Sequence, residues 1–550
     1  MKSFIRCRRI PTVVSLLVLV ALVSATPGSV SGASSAAARG HRGGTLTIAI
    51  ATNPATLNGD VTDNISIEPI QRLYGNMLLV LNGKNQLVPS LATSYTESKS
   101  GLTYTINLRH GVKWQDGKPF TSKDVVFTFS KLLKLNPLVS AALVKDVTSS
   151  TAAGLYRVVV HLKEPYAPFM VGLAGGTMYI EPAHVYGNQT PLKDSTANDH
   201  PIGTGPFIVK QWIPNQKIIL VRNPNYWGAT KSKPLPYFDK VVADIITNPT
   251  TIIDDLLSGT IDYVPTSFLP QTAIKQVKQS PCCRAVLVHG TPAYDIMYTN
   301  TQRAPFNSQT VRQAVYMAIT RKLIVQDALA GFGSPPVAPI PPAYTELYTK
   351  KINLTKQYPY NPSKAAKILD KAGFPVKNGE RFGKSITLLY SSGTGTFASQ
   401  TAKIVKANLA KITINVNLVA EDLTTWATAT YVKKKFTLSF IGLTSENDPA
   451  FGIQRAFACQ PAPTSEFTNA SGFCTKTVTS LFHQAATVST TAKRRELYAK
   501  VQKILDTKLP SYELGWRTTY VGISKKIQNY KASLQWGGAF STTWTESWFK

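Results

Sequence analysis

The sequence predicts an α/β protein of two or three domains, and three observations lead there. About 510 residues remain once an N-terminal leader is set aside, more than one hydrophobic core organises. "SITLLYSS", "QTAKIVKANLAK" and "TINVNLV" follow one another as a β-α-β unit, the kind of unit that builds sheets with ligand-bearing loop ends. Strands separated by proline- and glycine-set turns dominate the first 300 residues, whereas helices and strands alternate beyond them.

The elements can be justified in chain order. Lys2, Arg6, Arg8 and Arg9 precede "TVVSLLVLVALVSA", an uncharged run of 14 residues, and small residues follow. That is the pattern of an export signal over residues 1–33, with cleavage after Ala25 or after Ala33. The run falls short of the about 20 apolar residues that span a bilayer. Cys7 lies before it, so no lipoprotein cysteine is evident. Residues 34–43 read as a flexible leader. The mature chain is therefore expected outside the cytoplasm, in the periplasm or at the outer face of the cell membrane.

"GTLTIAIATN" at 44–53 is a first apolar strand ending in a polar loop. In "GLTYTINLRH", Leu102, Tyr104, Ile106 and Leu108 alternate with smaller or polar neighbours, the mark of a half-buried strand. Asp116-Gly117 then suits a tight turn. Thr121 and Asp124 have capping-box spacing ahead of Val125, Val126 and Phe129 at helical intervals. "YRVVVHLKEPY" at 156–166 is another alternating strand. "GTGPFIVKQWIPNQKIILVRNPNYW" at 203–227 reads as a hairpin between rigid turns. "TIIDDLLSGTIDYV" is a short helix stopped near Gly259, followed by a strand. Residues 306–333 carry one long amphipathic helix pattern, ended by "SPPVAPIPP". In "NPSKAAKILDKAGF", Asn361 caps, Pro362 occupies the first helical position and Gly373 ends the helix.

Charge and cysteines narrow the function classes. Net charge is +30, and +26 without the four leader cations. The basic residues are scattered in twos and threes, as in "YVKKK" at 431–435 and "KRR" at 493–495, with no basic helix or RNA-binding aromatic motif beside them. This describes a solvated positive surface, so no nucleic-acid partner is expected. Cys459 and Cys474 enclose a short loop, and an oxidising compartment favours a disulfide between them, worth about 3 kcal/mol. Adjacent Cys282 and Cys283 form either a strained vicinal disulfide or a pair of thiols. Neither pair has zinc-site spacing, and no metal or cofactor is expected.

Eight segments in order, "LVPSLATSY", "GLTYTINLRHGVKWQDGKPFTSKDVVFTF", "GTGPFIVKQW", "VRNPNYW", "LLSGTID", "VRQAVYMAI", "PIPP" and "NPSKAAKILDKAGF", resemble the family 5 extracellular solute-binding proteins, the peptide- and nickel-type receptors of ABC importers. The resemblance covers about 44–550. It implies a bilobed fold of the periplasmic-binding-protein type: two α/β lobes joined by a hinge, with a subdomain inserted in lobe one. Lobe one is expected at 44–295 with the subdomain at about 80–200, lobe two at 296–510, and a return to lobe one over 511–550. His110, Trp114 and Asp116 are then fold residues. The function implied is capture of a peptide or related small organic solute between closing lobes, and its delivery to a membrane permease by a monomeric receptor.

The resemblance also places candidate ligand contacts. Peptide-binding relatives anchor the amino group on an aspartate in a segment that here looks like "FIGLTSENDPAF". Asp448-Pro449 matches, but the anchor position holds Ser445 or Glu446, depending on a one-residue gap, and Leu443 replaces the usual tryptophan. Trp426 matches an aromatic that lines the pocket, and a core tryptophan is the equal alternative. Tyr390 and Ser392 belong to "YSSGTGT", where relatives hold the ligand's carboxylate, yet this loop has no arginine. Asn53 contributes from lobe one or simply shapes its loop. Two alternatives stay open: binding of a nickel chelate or haem by the same fold, and a surface receptor or adhesin. An enzyme is not expected, because no nucleophile elbow, P-loop, zincin helix or CxxC motif occurs.

Overall fold

A computed structural model of the protein describes residues 40–550 except 63–65, 83–85, 133, 136–142, 145, 176–177, 190–191, 289–292, 393–395, 445–447, 460–466 and 533–542. The export signal, Ser445 and Glu446 lie outside the described residues. Three sheets carry the architecture. The first has seven strands, in the spatial order Cys283–Val288, Thr519–Ser524, Tyr263–Val264, Thr45–Ile50, Lys240–Ile245, Lys217–Arg222 and Phe207–Ile213. The second has six: Gly333–Ser334, Ser511–Arg517, Ala293–Thr299, Leu438–Thr444, Ile386–Ser391 and Val416–Glu421. A four-stranded antiparallel sheet, Ala92–Glu97, Thr103–Leu108, Arg157–Leu162 and Val147–Ala152, lies between the first two strands of the large sheet in chain order.

Local chemistry accounts for most of these elements. Thr45–Ile50 pairs in parallel with Lys240–Ile245, residue for residue, and its core-facing Leu46, Ile48 and Ile50 are fully buried. The Asp116-Gly117 turn forms with Gly117 at φ 88° and the Asp116 carboxylate accepting from the Lys118 amide at 3.1 Å. Thr121 and Asp124 close a capping box on the helix Ser122–Phe127, with the Thr121 amide donating to the Asp124 carboxylate at 2.8 Å. Asn361 caps Pro362–Lys371 by accepting from the Lys364 amide at 2.8 Å, and Gly373 follows at φ 88°. The β-α-β unit is Ile386–Ser391, Thr396–Ala410 and Val416–Glu421, with the two strands parallel.

One element departs from its sequence pattern. Residues 306–333 do not form a single helix: Gln309–Met317 ends, and a second segment starts at Arg321. The buried Arg321 guanidinium accounts for the break, because its Nη1 donates to the carbonyls of Tyr316 and Ile319 at 2.8 and 2.9 Å. Those carbonyls would otherwise continue the helical ladder.

The cores follow the sheets. Two apolar clusters sandwich the second sheet: Leu388, Phe440, Tyr512 and Leu514 face one, while Tyr294, Leu389, Ile441 and Trp516 face the other. The first sheet and the four-stranded sheet have clusters of their own. The molecule is bilobed. The chain leaves the first sheet after Val288, enters the second at Ala293, leaves it at Arg517 and re-enters the first at Thr519. Both passages lie side by side, since Val288 pairs with Thr519 and Tyr294 with Trp516.

Candidate functional site

Strand direction fixes where a site can lie. In the second sheet Ile386–Ser391, Val416–Glu421 and Leu438–Thr444 run parallel, so their carboxyl ends share one edge. Ala293 pairs with Thr444, which brings the start of Ala293–Thr299 to that edge, and the end of Ser511–Arg517 joins it through Tyr294 and Trp516. In the first sheet, Thr45–Ile50, Lys240–Ile245 and Tyr263–Val264 are parallel and end where Thr519–Ser524 begins. Both sheets therefore turn the carboxyl ends of their parallel strands toward the double crossing, the position at which open α/β sheets host ligands.

The sequence-predicted residues fall on this frame as follows. Tyr390 and Ser392 stand at the end of Ile386–Ser391; Tyr390 is half-buried, and the exposed Ser392 donates to the carbonyl of Glu421 at 2.9 Å. Asn53 follows Thr45–Ile50, and its amide is engaged within its own lobe. The Asn53 Oδ1 accepts from the Trp212 indole at 3.3 Å and the Asn215 amide at 2.9 Å, while its Nδ2 donates to the Pro54 carbonyl at 3.1 Å. Trp426 is fully buried against Tyr431, with ring centroids 5.5 Å apart, and lines the sheet's core. Tyr390 and Ser392 thus share the lobe-two edge, Asn53 lies on the opposing edge, and Trp426 packs behind.

Cys459 and Cys474 are bonded, with their Cα atoms 4.8 Å apart. Cys283 is a buried thiol rather than half of a vicinal bridge, and burial pushes its pKa up.

Asp448, beside the anchor segment, has a structural partner. Arg494 donates from Nη2 to both Asp448 oxygens at 2.8 Å, and both side chains are nearly sealed from solvent. The "KRR" run is therefore only partly a solvated cation patch. This pair sets Phe451 against the four-stranded sheet's core, where the ring packs so tightly on Gly172 that a Cβ there would come within 2.7 Å. Further contacts reinforce the same seam between subdomain and second lobe. The Ala167 amide donates to the Ala486 carbonyl at 2.8 Å, and His483 lies 3.2 Å from Glu164.

Sequence reasoning missed Arg517. It ends the returning strand at the shared edge, with Nε 3.0 Å from Asp295 Oδ1, Nη2 donating to the Leu443 carbonyl at 2.9 Å, and its plane 5.0 Å from the Phe397 ring. Asp295 is fully buried in a slot between Gly442 and Gly515. Burial pushes its pKa up to about 6, against the opposing pull of Arg517. Within "YELGWRTTY" an arginine at a strand end gave no cue, because its partners Leu443, Phe397 and Asp295 lie 74, 120 and 222 positions away in the chain.

Two α/β lobes, joined by a double crossing and presenting their strand ends to each other, define an extracytoplasmic-type solute-binding protein. The chain belongs to the bacterial extracellular solute-binding proteins of family 5, whose model, described as "family 5 Middle", matches residues 86–463. The glutathione-binding protein GsiB of Escherichia coli is 28% identical over 476 residues, covering 84% of this chain and 86% of the relative. Heme-binding protein A of Haemophilus influenzae is 27% identical over 489 residues, covering 84% and 85%. The oligopeptide-binding protein AppA of Bacillus subtilis, solved with a nonapeptide, superposes with a TM-score of 0.79 at 24% identity, covering 93% of this chain and 100% of AppA. Among the described residues no helix is long and apolar enough to cross a membrane.

Proposed function

We propose that this protein is the extracytoplasmic receptor of an ABC importer, which takes up a peptide or related small organic solute between its lobes and passes it, unaltered, to a membrane permease. The observation that carries the proposal is the convergence of both sets of strand ends on one double crossing, about which the lobes can close as rigid bodies. Export through residues 1–33 supplies the compartment, and the closed pair of lobes supplies the surface a permease distinguishes from the open one. The receptor acts as a monomer and performs no covalent chemistry.

Contacts are assigned by position. Tyr390 and Ser392 meet the solute from lobe two, Asn53 fixes the facing loop, and Trp426 supports the lobe-two wall from behind. The anchor segment follows Leu438–Thr444 directly, and the Arg494–Asp448 pair fixes its far end. Glu446 is the residue there able to pair with an ammonium group, and Ser445 is the neighbour that would hydrogen-bond it without charge. A charge-assisted hydrogen bond contributes about 1.5–3 kcal/mol, so Glu446→Gln is expected to weaken peptide binding roughly ten- to a hundredfold, measured by calorimetric titration. Mass spectrometry of solute copurifying with the mature protein, together with X-ray scattering before and after adding it, tests the whole proposal. A radius of gyration unchanged by every candidate solute would overturn it. The likeness to a heme-binding protein supports a second occupant, haem or a metal chelate, which a visible absorbance band or nickel in the purified protein would reveal.

A further inference from the structure

Arg517 is held like a functional group. An arginine has five N–H donors in a fixed fork. Here one edge faces the Asp295 carboxylate, one donor reaches the Leu443 carbonyl and the flat face rests on Phe397. Three different elements thus fix one guanidinium at the edge where the lobes meet. The side chain nevertheless remains 13% exposed, whereas Asp295 has no exposure, so the fork is clamped but not sealed. Among the described residues no hydrogen bond engages its Nη1.

The surroundings favour an anion. Thr396–Ala410, a helix of 15 residues, starts directly beyond the end of Ile386–Ser391, so its positive end lies at the same edge. Phe397, in its first turn, is the ring under the guanidinium. Gly442 and Gly515 leave the room in which the Asp295 carboxylate sits, since a Cβ at Gly442 would meet Asp295 Oδ1 at 3.0 Å and one at Gly515 would meet Oδ2 at 3.3 Å.

We propose that the free edge of Arg517 binds a carboxylate of the captured solute, with Asp295 as its positioning residue, so that the natural solute is an acid. This rests on the receptor function proposed above and names the class of its solute.

The test compares Leu-Leu with Leu-Leu amide by calorimetric titration of the full mature protein freed of copurified solute. The acid should bind at least tenfold more tightly than the amide. Arg517→Gln alone would strand a buried carboxylate, so the variant is the double change Asp295→Asn with Arg517→Gln, in which acid and amide should bind within about twofold of each other. Arg517→Lys, which keeps a cation beside Asp295 but loses the fork, should retain only part of the preference. Equal binding of acid and amide by the wild type, or a preference that survives in the double variant, would overturn the inference and leave the receptor function standing. If neither probe binds, the copurified solute decides. An acidic solute displaced by the double variant supports the inference; a neutral or cationic one overturns it alone, and no bound solute of any kind overturns both.

Discussion

Arg494 illustrates how a single contact can organise a region distant from it in sequence. Its guanidinium lies over the Tyr498 ring at 5.7 Å, donates to the Ala485 carbonyl at 2.8 Å and grips Asp448. Burial alone would favour neutral forms, yet Asp448 holds the arginine's pKa above its ordinary value. Arg494→Ala should therefore leave a carboxylate that is 4% exposed without its cation, a loss of about 3–5 kcal/mol. Urea unfolding would measure it, and Lys493→Ala, one position earlier on the exposed face, should shift the midpoint hardly at all. In sequence the two cations are indistinguishable neighbours. What separates them is the helical turn of about 100° per residue, which aims one at Asp448 and the other at Glu496.

At the level of elements, short-range signals dominate. The capping box at Thr121 is typical: Thr121→Ala should cost about 1 kcal/mol, seen as a lower thermal midpoint with unchanged solute affinity, because the helix Ser122–Phe127 belongs to the subdomain core. The clasp at Cys459–Cys474 closes a loop of sequence separation 15 and follows the anchor segment. Replacing both cysteines by serine should cost about 2–4 kcal/mol, and weaken solute binding only if the clasp also positions that segment. Turns, caps and the β-α-β unit were legible because each depends on residues a few positions apart. The helix break at Arg321 was not, because it depends on which carbonyls a buried guanidinium reaches. The same limit applied to the site: Tyr390 and Ser392 were named at a strand end through the resemblance to relatives, while the clamp around Arg517 joins strands that only the folded sheet brings together.

Across the whole molecule, buried acids set the response to pH. Burial pushes Glu181 and Glu513 up to about 8, and Asp262, Asp295 and Asp506 up to about 6. Unfolded carboxyls titrate near pH 4, so above that the native state holds more protons than the unfolded state. Stability should consequently fall as pH rises from about 4 through 8, by about 1.4 kcal/mol per unit for each group still protonated in the native state. Thermal midpoints across that range check this, and Glu513→Gln should flatten the slope between pH 6 and 8.

The position of Thr519–Ser524 has a consequence for biogenesis. This strand, nearly the last of the chain, lies inside the first sheet between Cys283–Val288 and Tyr263–Val264. The first sheet therefore stays split until residues 519–524 have been synthesised and paired. Pairing between such distant segments makes the first lobe slow to complete. Truncation at residue 510 should leave a protease-sensitive product, however intact its first half.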